Sequence, residues 1–370
     1  MNRAIYILLA LMLISCSKNE TGNFIFEKSW QNGRAHDALV LSDTSFLVAG
    51  QADGMPFLIM TNRSGSRIME YESGKAGAFT SVVDDTSAYY AAGFSGGDIL
   101  VERISKNGIN DWSVIISTEA YASRSIIKKD ITGSFIVTGS CDPDSVDASS
   151  FKMVLIDRNG NITDETEVSP GYNVAASDFC TGSSGNIYLA LSKNTGSAKT
   201  MASVAGVSPD GNILWEEELY NNSKFAAASM AIDIYQDNLY VTGKTELSIE
   251  DNTLENSFLV EVDTYGNTGS KTYLENSNIG VDIVFDDFER VHLLNKNCFL
   301  VDIIGMLSDD DLTLFRTFEV CDPYQTGALA AAFDLTDDGN YLMCGSRSGK
   351  VYYSLRKGDE SNNEPAPESR

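Results

Sequence analysis

Histidine is almost missing from this sequence: His36 and His292 are the only two in 370 residues. A histidine base or triad needs such a residue beside its partner group. His292 lies inside a strand-like phrase and His36 just before another, and both read as structural. No GxSxG, HExxH or phosphate-cradling glycine loop occurs, nor any CxxC or Cys/His cluster of zinc spacing. Basic residues are scarce, 27 Lys+Arg against 52 Asp+Glu, for a net charge of −25. That balance argues against nucleic acid and anionic lipid headgroups, which need a basic footprint. It keeps the chain soluble and leaves a cation or a cationic partner open.

What is present begins with an address. Arg3 is followed by an apolar run, 4–14, of eleven residues. This is too short to span a bilayer but suits a signal-peptide core. It ends in Leu13-Ile14-Ser15-Cys16, which resembles the lipobox of bacterial lipoproteins. The resemblance implies removal of residues 1–15, acylation of Cys16 with palmitate-type chains, and a membrane anchor without a spanning helix. A plain secretory signal with an incidental cysteine is the alternative. Ser17, where sorting rules would otherwise place Asp, implies the outer membrane of a Gram-negative cell envelope. Residues 16–23 are polar and read as a tether. Export permits disulfides, and Cys141, Cys180, Cys298, Cys321 and Cys344 remain. Five is odd, so at least one is free. Cys141 with Cys180 and Cys321 with Cys344 are possible pairs, and Cys298 and Cys344 suit buried apolar positions.

The organising feature is a phrase that returns. Phe46-Leu47-Val48-Ala49-Gly50 comes back as Tyr89-Tyr90-Ala91-Ala92-Gly93, Phe135-Ile136-Val137-Thr138-Gly139, Leu239-Tyr240-Val241-Thr242-Gly243 and Tyr341-Leu342-Met343-Cys344-Gly345. Degenerate copies end at Leu191 and Asn295. The seven copies are spaced 43, 46, 52, 52, 52 and 50 residues apart. Short β-rich runs at that period predict a β-propeller of seven four-stranded antiparallel blades. In each repeat a first strand opens on small residues and a polar turn leads to the phrase. A third strand follows, then a Gly-containing hairpin turn such as Lys106-Asn107-Gly108 or Pro209-Asp210-Gly211. The fourth strand is more polar and sometimes holds Trp, as at Trp112 and Trp215. Alanines such as Ala38, Ala78 and Ala122 crowd the first strands, which suits strands converging on a channel.

The last repeat has no fourth strand of its own. The orphan Phe24-Ile25-Phe26-Glu27-Lys28-Ser29-Trp30 supplies one and closes the ring, with Trp30 echoing Trp112 and Trp215. The propeller thus spans 24–357, and 358–370 forms a disordered acidic tail. The turn Asp210-Gly211-Asn212-Ile213-Leu214-Trp215 is similar to the repeat of quinoprotein-like (PQQ-like) bacterial β-propeller lipoproteins, a likeness of repeat over 24–357. The chain lacks the adjacent cysteine pair of the quinone-dependent dehydrogenases, so no bound quinone, and no other cofactor, is expected.

Asp37, Asp178, Asp233, Asp282 and Asp334 recur at or near first strands. They form either a ring of acids at the channel mouth or a set of carboxylates that pair with backbone N–H groups between blades. Asp233 and Asp282 are the catalytic candidates in the first case, for a hydrolase or lyase acting on carbohydrate. Calcium could sit at 142–147 or 308–311, but both lack the glycine at loop position six and the terminal Glu of an EF-hand. With no recognisable catalytic set, the expected function is binding of an envelope protein or glycan through a ring face. The insertions 141–150 and 245–256 are the contact candidates.

Overall fold

The computed structural model describes residues 24–358 except 43, 119–121, 142–147, 195–199, 221–225, 250–251, 275–278, 288–289, 297–299, 307–311 and 319–327. Strands pair in five four-stranded antiparallel sheets and one seven-stranded sheet. The large sheet is two blades joined by one strand, Phe24–Ser42. The first half of that strand pairs with Lys350–Arg356 and the second half with Ser45–Ala52. Seven blades result, and the N-terminal strand closes the ring as the strand count predicted. No helix occurs among the described residues.

Each blade has an inner, second, third and outer strand. All seven copies of the phrase fall on second strands, such as Ser45–Ala52 and Ala88–Ser95. Those strands are covered by neighbouring blades on both faces, so they read as continuous apolar runs; Phe46, Leu47, Val48 and Ala49 are fully buried. The outer strand Asn110–Ile116 instead alternates between half-buried and exposed residues, as one solvated face dictates. Leu47, Leu58 and Met69 of blade 1 pack with Phe79, Tyr89 and Leu100 of blade 2. At roughly 1.5–3 kcal/mol per large buried side chain, this packing between blades is the main adhesive.

Two local devices recur. Most inner strands carry a β-bulge opposite the end of the phrase, as between Ala35 and Asp37 or Phe79 and Ser81. The bulge pushes a carbonyl so close that a Cβ at Gly50, Gly93, Gly243 or Gly345 would lie 1.8–2.2 Å from it. The phrase must therefore end in glycine there. On the outer side, Trp112 lies on Gly160 and Trp215 on Gly266, each a turn glycine of the next blade, where a Cβ would come within 2.8 Å of the indole. The indole N–H groups donate to Arg158 O and Thr264 O at 3.2 and 3.0 Å. At the ring closure this position belongs to Phe26, which lies on Gly65, and not to Trp30. Trp30 meets Phe57 edge-on under the Arg67 guanidinium.

Cys141, Cys180 and Cys344 are buried free thiols. The possible pair Cys141–Cys180 is therefore not formed: Cys141 follows the second strand of blade 3, whereas Cys180 lies on the inner strand of blade 4. Cys344 packs as an apolar residue in blade 7. Cys298 and Cys321 lie outside the described residues, as do Cys16, the tether and the tail beyond 358.

The closing strand leaves blade 7 for blade 1 at Gly33, which has φ +147° and whose Cβ would lie 2.0 Å from Gln51 O. Gly54 also has positive φ but faces open space. Gly33→Ala should cost about 2–3 kcal/mol through strain plus collision, and Gly54→Ala only about 1 kcal/mol through strain. Urea-unfolding midpoints check this, and equal losses would remove the special role of Gly33.

Candidate functional site: the central channel

Inner strands converge on the axis with no strand beyond them, so their axial N–H groups need other partners. Side chains of the neighbouring blade supply these. Asp37 accepts from Ala38 N at 2.8 Å and from Val82 N of blade 2 at 2.7 Å. Asp178 accepts from Phe179 N and from Ile232 N of blade 5 at 2.8 and 3.1 Å. Asp282 accepts from Ile283 N and from Phe333 N of blade 7 at 2.9 and 3.0 Å. Asp334 accepts from Leu335 N and from Val40 N of blade 1 at 2.8 and 2.7 Å. Four of the five anticipated carboxylates thus staple one blade to the next. Asp233 accepts from Ile234 N at 2.8 Å.

The register arranges these groups in levels. Asp37, Asp178 and Asp282 stand opposite Ala49, Ala190 and Leu294, the same position of the phrase. Two residues further along stand Lys128, Asp233 and Asp334. Lys128 Nζ approaches Asp178 Oδ1 at 3.2 Å. Burial would lower the Lys128 pKa, but the carboxylates of Asp178 and Asp233 prevail and raise it. Burial raises Asp37 and Asp334 to about 6, and it raises Asp233 and, more strongly, Asp282. Before the acid level come Arg34, His36 and Arg124. Burial and the two guanidinium charges hold His36 down at about 3, so its ring is neutral. Sequence reasoning missed Arg34, Arg124 and Lys128. Arg34 stands 16 residues before Gly50 and Arg124 only 15 before Gly139, so a gapless alignment on the phrase glycine does not bring them into one column.

A second recess of about 220 Å³ opens between blades 6 and 7, lined by Phe285, Asp286, Asp287, Arg290, Thr336 and Asp337 among others. His292 is buried at its floor, Nε2 2.9 Å from Asp286 Oδ2 and Nδ1 2.9 Å from Tyr341 OH. Burial lowers its pKa despite Asp286, so the neutral ring donates to the carboxylate and accepts from the phenol. With both nitrogens engaged, His292 is a structural residue. The calcium-like stretches 142–147 and 308–311 lie outside the described residues. Among the described residues no three His, Cys, Asp or Glu side chains are grouped to hold a metal.

Asp37 and Asp334 bind a proton more tightly in the ring than in the unfolded chain, where the value is 3.8. The stability that this lends is whole below that value and is lost as the pH rises through about 6. Asp85, lowered chiefly by its hydrogen bond with Lys129, acts below this window. His36 and His292, both lowered from the ordinary 6.5, act within it with the opposite sign, their stabilisation being lost as the pH falls. Asp37→Asn with Asp334→Asn removes the carboxylate part and leaves the histidine part. From pH 5 to pH 7 the melting temperature of the double variant should therefore rise relative to that of the parent. An unchanged slope in the double variant, followed by circular dichroism, would contradict this.

No protein-family model matches the sequence, and no curated protein sequence does. The fold has many solved counterparts. Virginiamycin B lyase from Staphylococcus aureus superposes with a TM-score of 0.60 at 13% identity, over 90% of this chain and 99% of that one. The Pan2 WD40 domain of Neurospora crassa gives 0.57 at 12%, over 88% and 90%. The periplasmic gluconolactonase PpgL of Pseudomonas aeruginosa gives 0.54 at 11%, over 75% and 83%. These neighbours include enzymes and a WD40 domain alike. What they share with this chain is the propeller.

Proposed function

We propose that this protein is a lipid-anchored scaffold of the cell envelope that binds a protein or glycan partner through one face of its propeller. The observation that carries the reading is an asymmetry between the faces. Connections between inner and second strands, and between third and outer strands, are all two to five residues long. On the opposite face the spacing between strands varies from two to ten residues, widest between Phe135–Ser140 and Phe151–Ile156 and between Leu312–Phe318 and Ala328–Leu335. There, too, blade 5 extends its second and third strands to Asn238–Ile249 and Asn252–Asp263, four residues longer than the eight-residue pair of blade 1. The insertion 245–256 is thus a β-ribbon, paired from Thr245↔Asn256 to Ile249↔Asn252, and adds about 13 Å at roughly 3.3 Å per residue. Variable loops on a rigid frame are where recognition is usually built.

The chain enters at the short-turn face, where Phe24 pairs with Arg356. A lipid on Cys16 and a tether of at most roughly 25 Å would hold that face toward the membrane and turn the variable face outward. A carbohydrate hydrolase or lyase working through Asp233 and Asp282 has less in its favour. Both Asp282 oxygens and one of Asp233 already accept backbone N–H groups, and kinship of fold does not carry activity.

Two measurements test the reading. Radiolabelled palmitate should enter the full-length protein expressed in a Gram-negative host and not its Cys16→Ala variant; equal labelling would remove the anchor. A photo-cross-linking residue at Ser248, on the ribbon, should give a discrete adduct in the envelope, whereas one at Tyr265, on a short turn, should give none. Adducts from Tyr265 alone would place the partner on the wrong face for this proposal.

A further inference from the structure

We infer that the mouth of the channel on the variable face is an oxyanion site, built by Arg34, Arg124 and His36, that takes a carboxylate or phosphate group of the bound partner. The inference rests on the reading of that face as the partner surface and names the chemistry it recognises.

The register carries it. Gly50 and Gly139 end equivalent phrases and stand opposite Ala35 and Ser125. One residue earlier stand Arg34 and Arg124, on the inner strands of blades 1 and 3 at the same height. The other five blades have Ala78, Ala175, Ala228, Ile279 and Leu329 there. The fold therefore accepts small or apolar residues at this level, yet two cations of a chain with only 27 Lys+Arg stand there. His36 is the extra residue of the blade 1 bulge, between Ala35 and Asp37. It is close enough that the charges of both arginines act on it.

These groups differ from the charged groups deeper in the channel. Lys128 is matched by Asp178 at 3.2 Å. Arg34 reaches across to Ala330 O of blade 7 at 3.4 Å. The side chains of Arg124 and His36 make no hydrogen bond or ion pair with a described residue. The nearest acid along the strand, Asp37, has both oxygens committed to backbone N–H groups. Like charges thus stand at one level of the inner strands around His36, and the lower the local dielectric the stronger their fields. Guanidinium forks match the paired oxygens of carboxylate or phosphate. The neutral imidazole adds a donor, and the arriving negative charge would favour its protonation.

The two histidines make the test direct, because ring signals of full-length, histidine-labelled protein come from His36 and His292 alone. At low ionic strength, inorganic phosphate and acetate are titrated separately, with chloride at matched ionic strength as control. The His36 signal should shift saturably with one or both oxyanions, the stronger response telling phosphate from carboxylate. Its pKa should rise from about 3 toward the ordinary 6.5, while His292 stays fixed. Arg124→Gln should raise the His36 pKa without any ligand, because one repelling cation is gone, and should weaken oxyanion binding at least tenfold. Arg34→Lys, which keeps the charge but loses the fork, should weaken it less. A response that does not saturate, that chloride reproduces, or that survives Arg124→Gln overturns the site. Saturable binding with cross-links only from Tyr265 would keep the site and discard the partner face. Cross-links from Ser248 without oxyanion binding would do the reverse.

Discussion

The ring depends on one antiparallel pairing, that of the chain's first described residues with its last strand, from Phe24↔Arg356 to Asn32↔Lys350. Without it, blade 7 would present the open edge of Lys350–Arg356, and an unpaired strand edge is a liability in water. The pairing also brings Phe26 into one apolar cluster with Phe46, Phe57 and Tyr353, so closure buries side chains from both ends of the chain together. The same strand then turns at Gly33 and becomes the inner strand of blade 1. Closure of the rim and construction of the hub are therefore one event. Arg34, His36 and Asp37 reach the channel because Phe24–Ser29 has latched.

At the hub, the backbone decides what the acids do. Seven inner edges converge and leave N–H groups that no further strand can pair. A short carboxylate with one oxygen on its own strand and the other on the next blade answers that need at Asp37, Asp178, Asp282 and Asp334. The cost is desolvation of like charges in a narrow space, visible in the raised pKa values of Asp37, Asp282 and Asp334. Lys128 is set at the level where Asp178 and Asp233 can share it. The hub is thus a set of bonded staples with a small electrostatic balance, and Arg34 and Arg124 stand one level away from it toward its mouth.

Much of the fold was legible because second strands are buried on both faces and must be apolar throughout, so their residues repeat even where nothing else does. The closing strand followed from counting, since a blade with three strands needs a fourth. The hub was less legible. A bulge adds one residue and breaks the two-residue alternation from which side-chain direction is read. Arg34, His36 and Asp37, nearly consecutive, consequently serve one channel in a way no periodicity announces. Blade 3 lacks the bulge, and its Lys128 arrives by ordinary alternation. Trp30 shows the limit from the other side. Trp112 and Trp215 each stand four residues after a turn glycine, but the N-terminal strand has no preceding turn to set its register. Residue type stood in for register there, and Phe26 holds the position. Whether a carboxylate bonds its own blade or the next is a long-range fact that the linear sequence does not contain.

The closing strand has a mechanical consequence. Chain that enters at Phe24 runs along the strand from the short-turn face toward Gly33, parallel to the edge it completes. A pull on the N-terminus directed away from that face acts along the strand axis. It loads the rungs between Phe24 and Asn32 together, in shear, and does not peel them one at a time. Rungs loaded in parallel share the force, and the lifetime of the ring under tension is set by the slow rate of losing them all at once. A tether attached there pulls against all these rungs together, whereas the same tether on an outer loop would unzip its rungs one by one.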